Sequence, residues 1–109
     1  MNPEDAAELI REKAAAYGKS KAQRVYLEEF RRSKKAMLMK DSLTMGVEAA
    51  NAQEREALAD PEYVALLVGL REAVAQEETL KWELESYRLD IEIWRTRQAT
   101  ERMVIRSHD

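Results

Sequence analysis

A heptad repeat of largely apolar residues runs through the second half of the chain. Counted in sevens from Tyr63, its first position holds Tyr63, Leu70, Glu77, Leu84 and Ile91, and its second position holds Leu66, Ala73, Leu80, Tyr87 and Trp94. Glu77 is the one residue of this set that is unsuited to burial. A repeat of about 3.5 residues predicts a long helix that packs along a neighbouring helix. We therefore expect Trp94 to lie in a helix–helix core.

The stretch LADPEY marks the start of this helix. Asp60 can cap the first backbone N–H groups, and Pro61 suits the first helical position. We expect one helix over residues 61–104 and a helix of similar length over residues 20–59. Long helices joined by so short a turn form an antiparallel hairpin. The predicted fold is therefore all-α, a coiled-coil-like antiparallel hairpin within a single helical domain, residues 1–109.

A short helix is expected before this hairpin. Asn2 is a capping residue ahead of a proline and two acids, which favour a helix start. The helix should cover residues 3–17 and stop at Gly18. Ser20 and Gln23 have the spacing of a capping box, which would begin the next helix. A single bent helix through Gly18 is the alternative.

The helix over residues 20–59 has one weak point and one apolar stripe. Gly46 costs about 1 kcal/mol relative to alanine inside a helix, so we expect a kink or a short break at residues 41–46. Helical spacing places Tyr26, Phe30, Ser33 and Met37 on one apolar stripe, with Val25, Leu27, Leu38 and Met39 beside it.

A second apolar strip lies beside the heptad positions of the last helix. Its members are Trp82, Leu89 and Ile93. A helix with two apolar faces needs more than one neighbour. The N-terminal helix could cover this outer strip, or a second copy of the chain could. We expect a homo-oligomer with these three residues at its interface.

Charge is distributed unevenly along the chain. Residues 19–40 carry eight basic and two acidic side chains, a net charge of +6, whereas residues 41–79 have a net charge of −7. A basic segment predicts contact with nucleic-acid phosphates. The candidate phosphate-binding residues are Arg24, Arg31, Arg32, Lys34 and Lys35.

The alternative is that acidic residues neutralise this basic segment. A hairpin that turns near residue 60 would place residues 31–35 opposite residues 84–88. Interhelical ion pairs could then form with Glu83, Glu85, Asp90 and Glu92.

The sequence contains few residues that could form a catalytic site. The chain has no cysteine, and its one histidine, His108, lies beside the C-terminus, so neither a zinc site nor a nucleophile–histidine pair is expected. No glycine-rich phosphate loop is present. We expect no enzyme activity, catalytic residue, metal, cofactor or small-molecule substrate. The N-terminus lacks the pattern of a signal peptide and no stretch suits a membrane, so we expect a cytoplasmic protein.

Three stretches carry a resemblance: KAQRVYLEEFRRSKKAMLM, LADPEYVALLVGLREAVAQEETLKWELE and IEIWRTRQATER. Together they resemble small phage and prophage helical proteins that are encoded near recombination genes. The resemblance covers about residues 20–102. It implies a bacterial host cytoplasm and a role beside recombination proteins, and it supplies no catalytic residues.

These observations lead to three functional hypotheses. The first is a phage-type accessory protein of DNA recombination or replication that binds single-stranded DNA or a recombination protein. The second is a protein-binding inhibitor of a host nuclease or defence complex, with the acidic segment imitating a polyanion. The third is a scaffold that works by self-assembly through the outer strip.

Overall fold

The computed structural model describes residues 2–108, which form three helices. Helix α1 is Pro3–Thr44, α2 is Ala50–Ala59 and α3 is Pro61–His108. The all-α helical hairpin predicted from the sequence is confirmed. No helix within residues 2–108 combines the length and the apolar character needed to cross a membrane.

Two of the helix starts that the sequence predicts, at Asn2 and Asp60, are capped by side chains. The Oδ1 atom of Asn2 accepts a hydrogen bond from the backbone N–H of Asp5 at 2.9 Å. At α3, Oδ1 of Asp60 accepts one from the backbone N–H of Glu62 at 2.8 Å, with Pro61 in the first turn. These caps satisfy N–H groups that have no partner within the helix.

The predicted stop at Gly18 is wrong, because α1 continues through this residue without interruption. A single glycine costs a helix only about 1 kcal/mol, which packing on both sides can offset. Ser20 is accordingly buried inside α1 and starts no new helix. The separate helix over residues 3–17 is thus the first part of a 42-residue helix.

Gly46 terminates α1 instead of bending it. Its φ angle of +99° lies in the left-handed region that glycine adopts without strain. The backbone N–H of Gly46 donates to the carbonyl of Leu43, and that of Val47 donates to the carbonyl of Ser42. This pattern is a Schellman motif, which satisfies the last carbonyls of a helix. The predicted short break is therefore real, and α2 is a separate helix.

The chain forms two compact units. One, the connector unit, is Ser20–Glu77. Within it, Arg24 of α1 contacts Glu77 of α3 and Lys34 contacts Glu62, so residue numbers fall along α3 as they rise along α1. The two helices are antiparallel there. A small core of Leu38, Ala57 and Tyr63 joins all three helices.

The other unit, the terminal unit, contains the residues up to Lys19 and those from Glu78 onward. Lys13 of α1 and Glu83 of α3 form an ion pair in it, with Nζ and Oε2 3.2 Å apart. The nearby carboxylate of Glu83 raises the pKa of Lys13 above its usual value, because it stabilises the charged ammonium group.

Most heptad positions of α3 are buried or half-buried. Tyr63, Ala73, Glu77 and Leu80 are buried, and Leu66, Leu70, Leu84, Tyr87 and Ile91 are half-buried. Trp94 is 42% exposed, so its predicted place in the core is wrong.

The apolar stripe of α1 is not the buried face of the helix; the residue that α1 contributes to the small core is Leu38, which lies beside that stripe. Tyr26 and Met37 are exposed, whereas Leu38 is buried. Phe30 is half-buried and stacks on Tyr26, with ring centroids 5.8 Å apart. Their spacing is helical, but α1 turns a different face, the one bearing Leu38, toward α2 and α3.

Leu38 and Met37 give a matched pair of substitutions. We expect Leu38→Ala to lower the free energy of unfolding by about 2 kcal/mol, because it opens a cavity beside Ala57 and Tyr63. Met37→Ala, one residue away and exposed, should change it by no more than about 0.5 kcal/mol. Urea unfolding followed by circular dichroism measures both. Equal effects would show that the core is assigned to the wrong face of α1.

Candidate functional site

The five predicted phosphate-binding residues lie on α1 in the connector unit, and three of them are engaged in ion pairs. Arg24 contacts Glu77 through Nε, and its Nη2 lies 3.3 Å from Glu77 Oε1. Its Nη1 also donates to Glu28 at 2.9 Å. These hydrogen bonds raise the pKa of Arg24 and hold its guanidinium against the helix pair.

Lys34 and Lys35 are paired with acids from two other helices. Lys34 Nζ lies 2.6 Å from Glu62 Oε2 on α3, and Lys35 Nζ lies 2.7 Å from Glu54 Oε1 on α2. The hydrogen bond to Glu62 raises the pKa of Lys34. Since a raised lysine pKa favours the charged form, this pair is intact at neutral pH and is lost only as the pH rises above the ordinary lysine value of 10.5.

The acidic partners differ from those that the sequence predicts. Residues 31–35 do not face residues 84–88, because α1 ends at Thr44 and residues 45–60 fall outside the α1–α3 pairing. The basic segment instead lies beside acids of the −7 segment. The connector unit, residues 20–77, has nine basic and ten acidic side chains, a net charge of −1.

Arg31 and Arg32 are the two predicted contacts that form no salt bridge with any residue in 2–108. Arg31 is half-buried and Arg32 is exposed. The assignment of all five residues to phosphate binding stays a prediction, but these two guanidiniums are the ones available without breaking an ion pair.

The outer strip lies on α3 in the terminal unit, where its three side chains are exposed. Trp82 is 62% exposed, Leu89 58% and Ile93 49%. The N-terminal part of α1 belongs to the same unit but leaves these side chains open. The sequence suggests that either the N-terminal helix or a second copy of the chain packs on the outer strip. The structure excludes the N-terminal part of α1.

Contacts along α3 hold the Trp82 side chain in place. Its indole Nε1 donates to Glu78 Oε2 at 3.2 Å, and Lys81 Nζ lies 5.6 Å from the ring centroid. The polar N–H of the ring is thus satisfied within the helix, and the apolar surface of the ring stays accessible.

Comparisons with protein-family models, with curated proteins and with solved structures found no match. The functional argument therefore depends on the geometry of the chain itself.

The part of the chain from residue 2 to residue 108 contains no group of three or more histidine or acidic side chains arranged to hold a metal ion. Two acids of α3 instead form ion pairs within the helix: Glu85 pairs with Arg88 and Glu92 with Arg95, both at 3.3 Å.

The connector unit has a further exposed apolar patch that the heptad pattern does not reveal. It consists of Val64, Leu67 and Val68 on α3. The signal was present in their i, i+3, i+4 spacing, beside the heptad positions. It was obscured because the heptad repeat already explained the apolar character of that region.

The Arg24–Glu77 pair can be tested by removing the cation. We expect Arg24→Leu to lower the melting temperature by several degrees, because it leaves the carboxylate of Glu77 buried and unpaired. Adding Glu77→Leu should restore most of the loss, since two apolar side chains then fill the same space. Arg31→Leu, which breaks no salt bridge, is the control. A double variant no more stable than Arg24→Leu would contradict this role for the pair.

Proposed function

We propose that the protein is a non-enzymatic helical scaffold that self-associates through the outer strip of α3. The observation that supports this is the exposure of Trp82, Leu89 and Ile93 on one helix face, with the polar end of the tryptophan already satisfied. Exposed clusters of large apolar side chains are typical of interaction surfaces. Tryptophan in particular is enriched among the residues that dominate binding energy.

The size of the strip suggests a reversible association. Burying the exposed half of each of these side chains contributes about 1 kcal/mol, and a two-fold dimer buries six of them, or roughly 6 kcal/mol. Association itself costs roughly 4–15 kcal/mol in lost freedom. The strip alone is therefore near the minimum for a stable complex, and the residues around it decide how tightly and in which orientation two copies bind.

The biological setting of the proposal comes from the sequence resemblance to phage and prophage proteins encoded near recombination genes. In that setting a self-assembling helical protein would serve as an accessory factor of DNA recombination or replication, by arranging recombination proteins or DNA around an oligomer.

Replacing Trp82 tests the proposed interface. We expect the unaltered protein to show a concentration-dependent mass above that of one chain, 12.6 kDa, by light scattering or sedimentation. Trp82→Glu should reduce it to one chain by placing a charge in the contact. Ala15→Glu, an exposed site on α1 in the same unit, should leave the oligomer intact. An unaltered protein that stays at the mass of one chain up to high micromolar concentration would contradict the proposal.

Binding of single-stranded DNA is a second candidate function, favoured by the absence of ion pairs at Arg31 and Arg32. Two adjacent guanidiniums on one helix can contact neighbouring phosphates and release counterions. The connector unit is nearly neutral, which disfavours strong non-specific binding of DNA. Binding of single-stranded DNA would therefore depend on Arg31 and Arg32 more than on the whole basic segment.

Charge reversal at these arginines tests the second candidate. We expect Arg31→Glu with Arg32→Glu to weaken binding of labelled single-stranded DNA by about tenfold or more in fluorescence anisotropy, and to lower its salt dependence. Arg55→Glu with Arg71→Glu changes the net charge of the same unit equally and is the control. If both double variants bind alike, Arg31 and Arg32 make no specific contact.

A further inference from the structure

Six charged residues form a row beside the outer strip on α3. The row consists of Glu78, Lys81, Glu85, Arg88, Glu92 and Arg95. Steps of three and four residues alternate along it, so all six lie on one side of the helix. The sign alternates at every step, and all six residues are exposed.

The ion pairs that these residues make in the structure stay within α3. Glu85 pairs with Arg88 and Glu92 with Arg95, each three positions apart. Exposed pairs of this kind contribute little to stability, about 0.2–1 kcal/mol each. They can therefore exchange partners with a second chain at small cost.

An antiparallel second copy matches this row at every position. If Glu85 of one chain faces Arg88 of the other, then Lys81 faces Glu92 and Glu78 faces Arg95, because each of these pairs of numbers has the same sum. In a parallel two-fold pair the two rows would lie on opposite sides of the contact and would not meet, so their charges could not pair with one another.

The outer strip favours nearly the same arrangement. An antiparallel copy that sets Trp82 against Ile93 brings Leu89 beside Ser86 of the partner, so that a large side chain meets a small one. The charge row and the strip put the two-fold axis within one residue of each other, which shifts each facing pair by two residues, or about 3 Å along the helix. Long charged side chains adapt to an offset of this size.

We propose that two copies of this chain pair antiparallel along the outer face of α3, with the two-fold axis near residue 87. This inference rests on the proposed function, which supplies self-association itself. It adds the orientation of the two copies and the residues that determine that orientation. Burial of the strip supplies most of the free energy, and the alternating row selects one orientation.

Cysteine cross-linking tests the orientation, because the chain has no cysteine of its own. Glu78→Cys and Arg95→Cys are made as separate variants, one of them carrying a size tag. Each change removes an outermost charge of the row and keeps the three side chains of the strip; Glu78→Cys also removes the hydrogen bond from Trp82 Nε1, which leaves that N–H to water. In the antiparallel pair, residue 78 lies near residue 95 of the other copy, whereas identical residues are about 26 Å apart along the helix.

The expected result under mild oxidation is a mixed disulfide when the two variants are combined, and none when either is oxidised alone. Adding Trp82→Glu to both should abolish the mixed product. Disulfides from each variant alone would show that identical residues meet, which the antiparallel pair does not allow. A dimer that gives neither product would indicate another interface. Both results overturn the antiparallel assignment while leaving self-association in place. A protein that sediments as one chain overturns self-association as well.

Discussion

A buried carboxylate constrains the connector unit. Glu77 occupies a core position of the heptad repeat and is only 9% exposed, a position at which an unpaired charge would be strongly destabilising. Arg24 is long enough to reach it and is held there by Glu28 as well. Sliding α1 by one turn would leave Glu77 without this cation. The ion pair thus selects the register of the two helices, a use of buried polar groups that helix pairs exploit.

That register determines what the basic segment can do. Once Arg24 is set against Glu77, Lys34 falls beside Glu62, and α2 brings Glu54 to Lys35. Much of the positive charge is therefore neutralised inside the unit. A sequence with a +6 segment suggests a polyanion-binding surface, but the folded connector unit has a net charge of −1. The apolar face of α3 therefore supports an interaction more strongly than the charged residues of α1 do.

Local features were predictable from the sequence, and features that depend on distant residues were not. The caps at Asn2 and Asp60 involve neighbours within one helix, so residue type and spacing suffice. The heptad spacing likewise identified the buried and half-buried positions of α3, with Trp94 as the exception. The continuation of α1 through Gly18 could not be read from that residue, because one glycine costs a helix only about 1 kcal/mol. The register and the buried face of α1 depend on where α2 begins, which no nearby residue specifies. The partners of Lys34 and Lys35 followed from that register and were predicted wrongly. The exposure of Trp82, Leu89 and Ile93 on α3 follows from their spacing, which alone places them off the heptad face, whereas their role at an interface stays a prediction.

The two faces of α3 differ in how strongly they select the register and orientation of the helix that packs on them. The heptad face packs against α1 with a buried ion pair, where a wrong register leaves a carboxylate unsatisfied. The outer strip presents three apolar side chains, and apolar contact by itself is non-directional. A strip of this kind would accept several orientations of a partner at similar free energy. An adjacent row of alternating charges removes this degeneracy, since only one orientation pairs opposite signs along its whole length. The sign pattern beside the strip, more than the strip's area, is therefore the feature that gives this surface specificity.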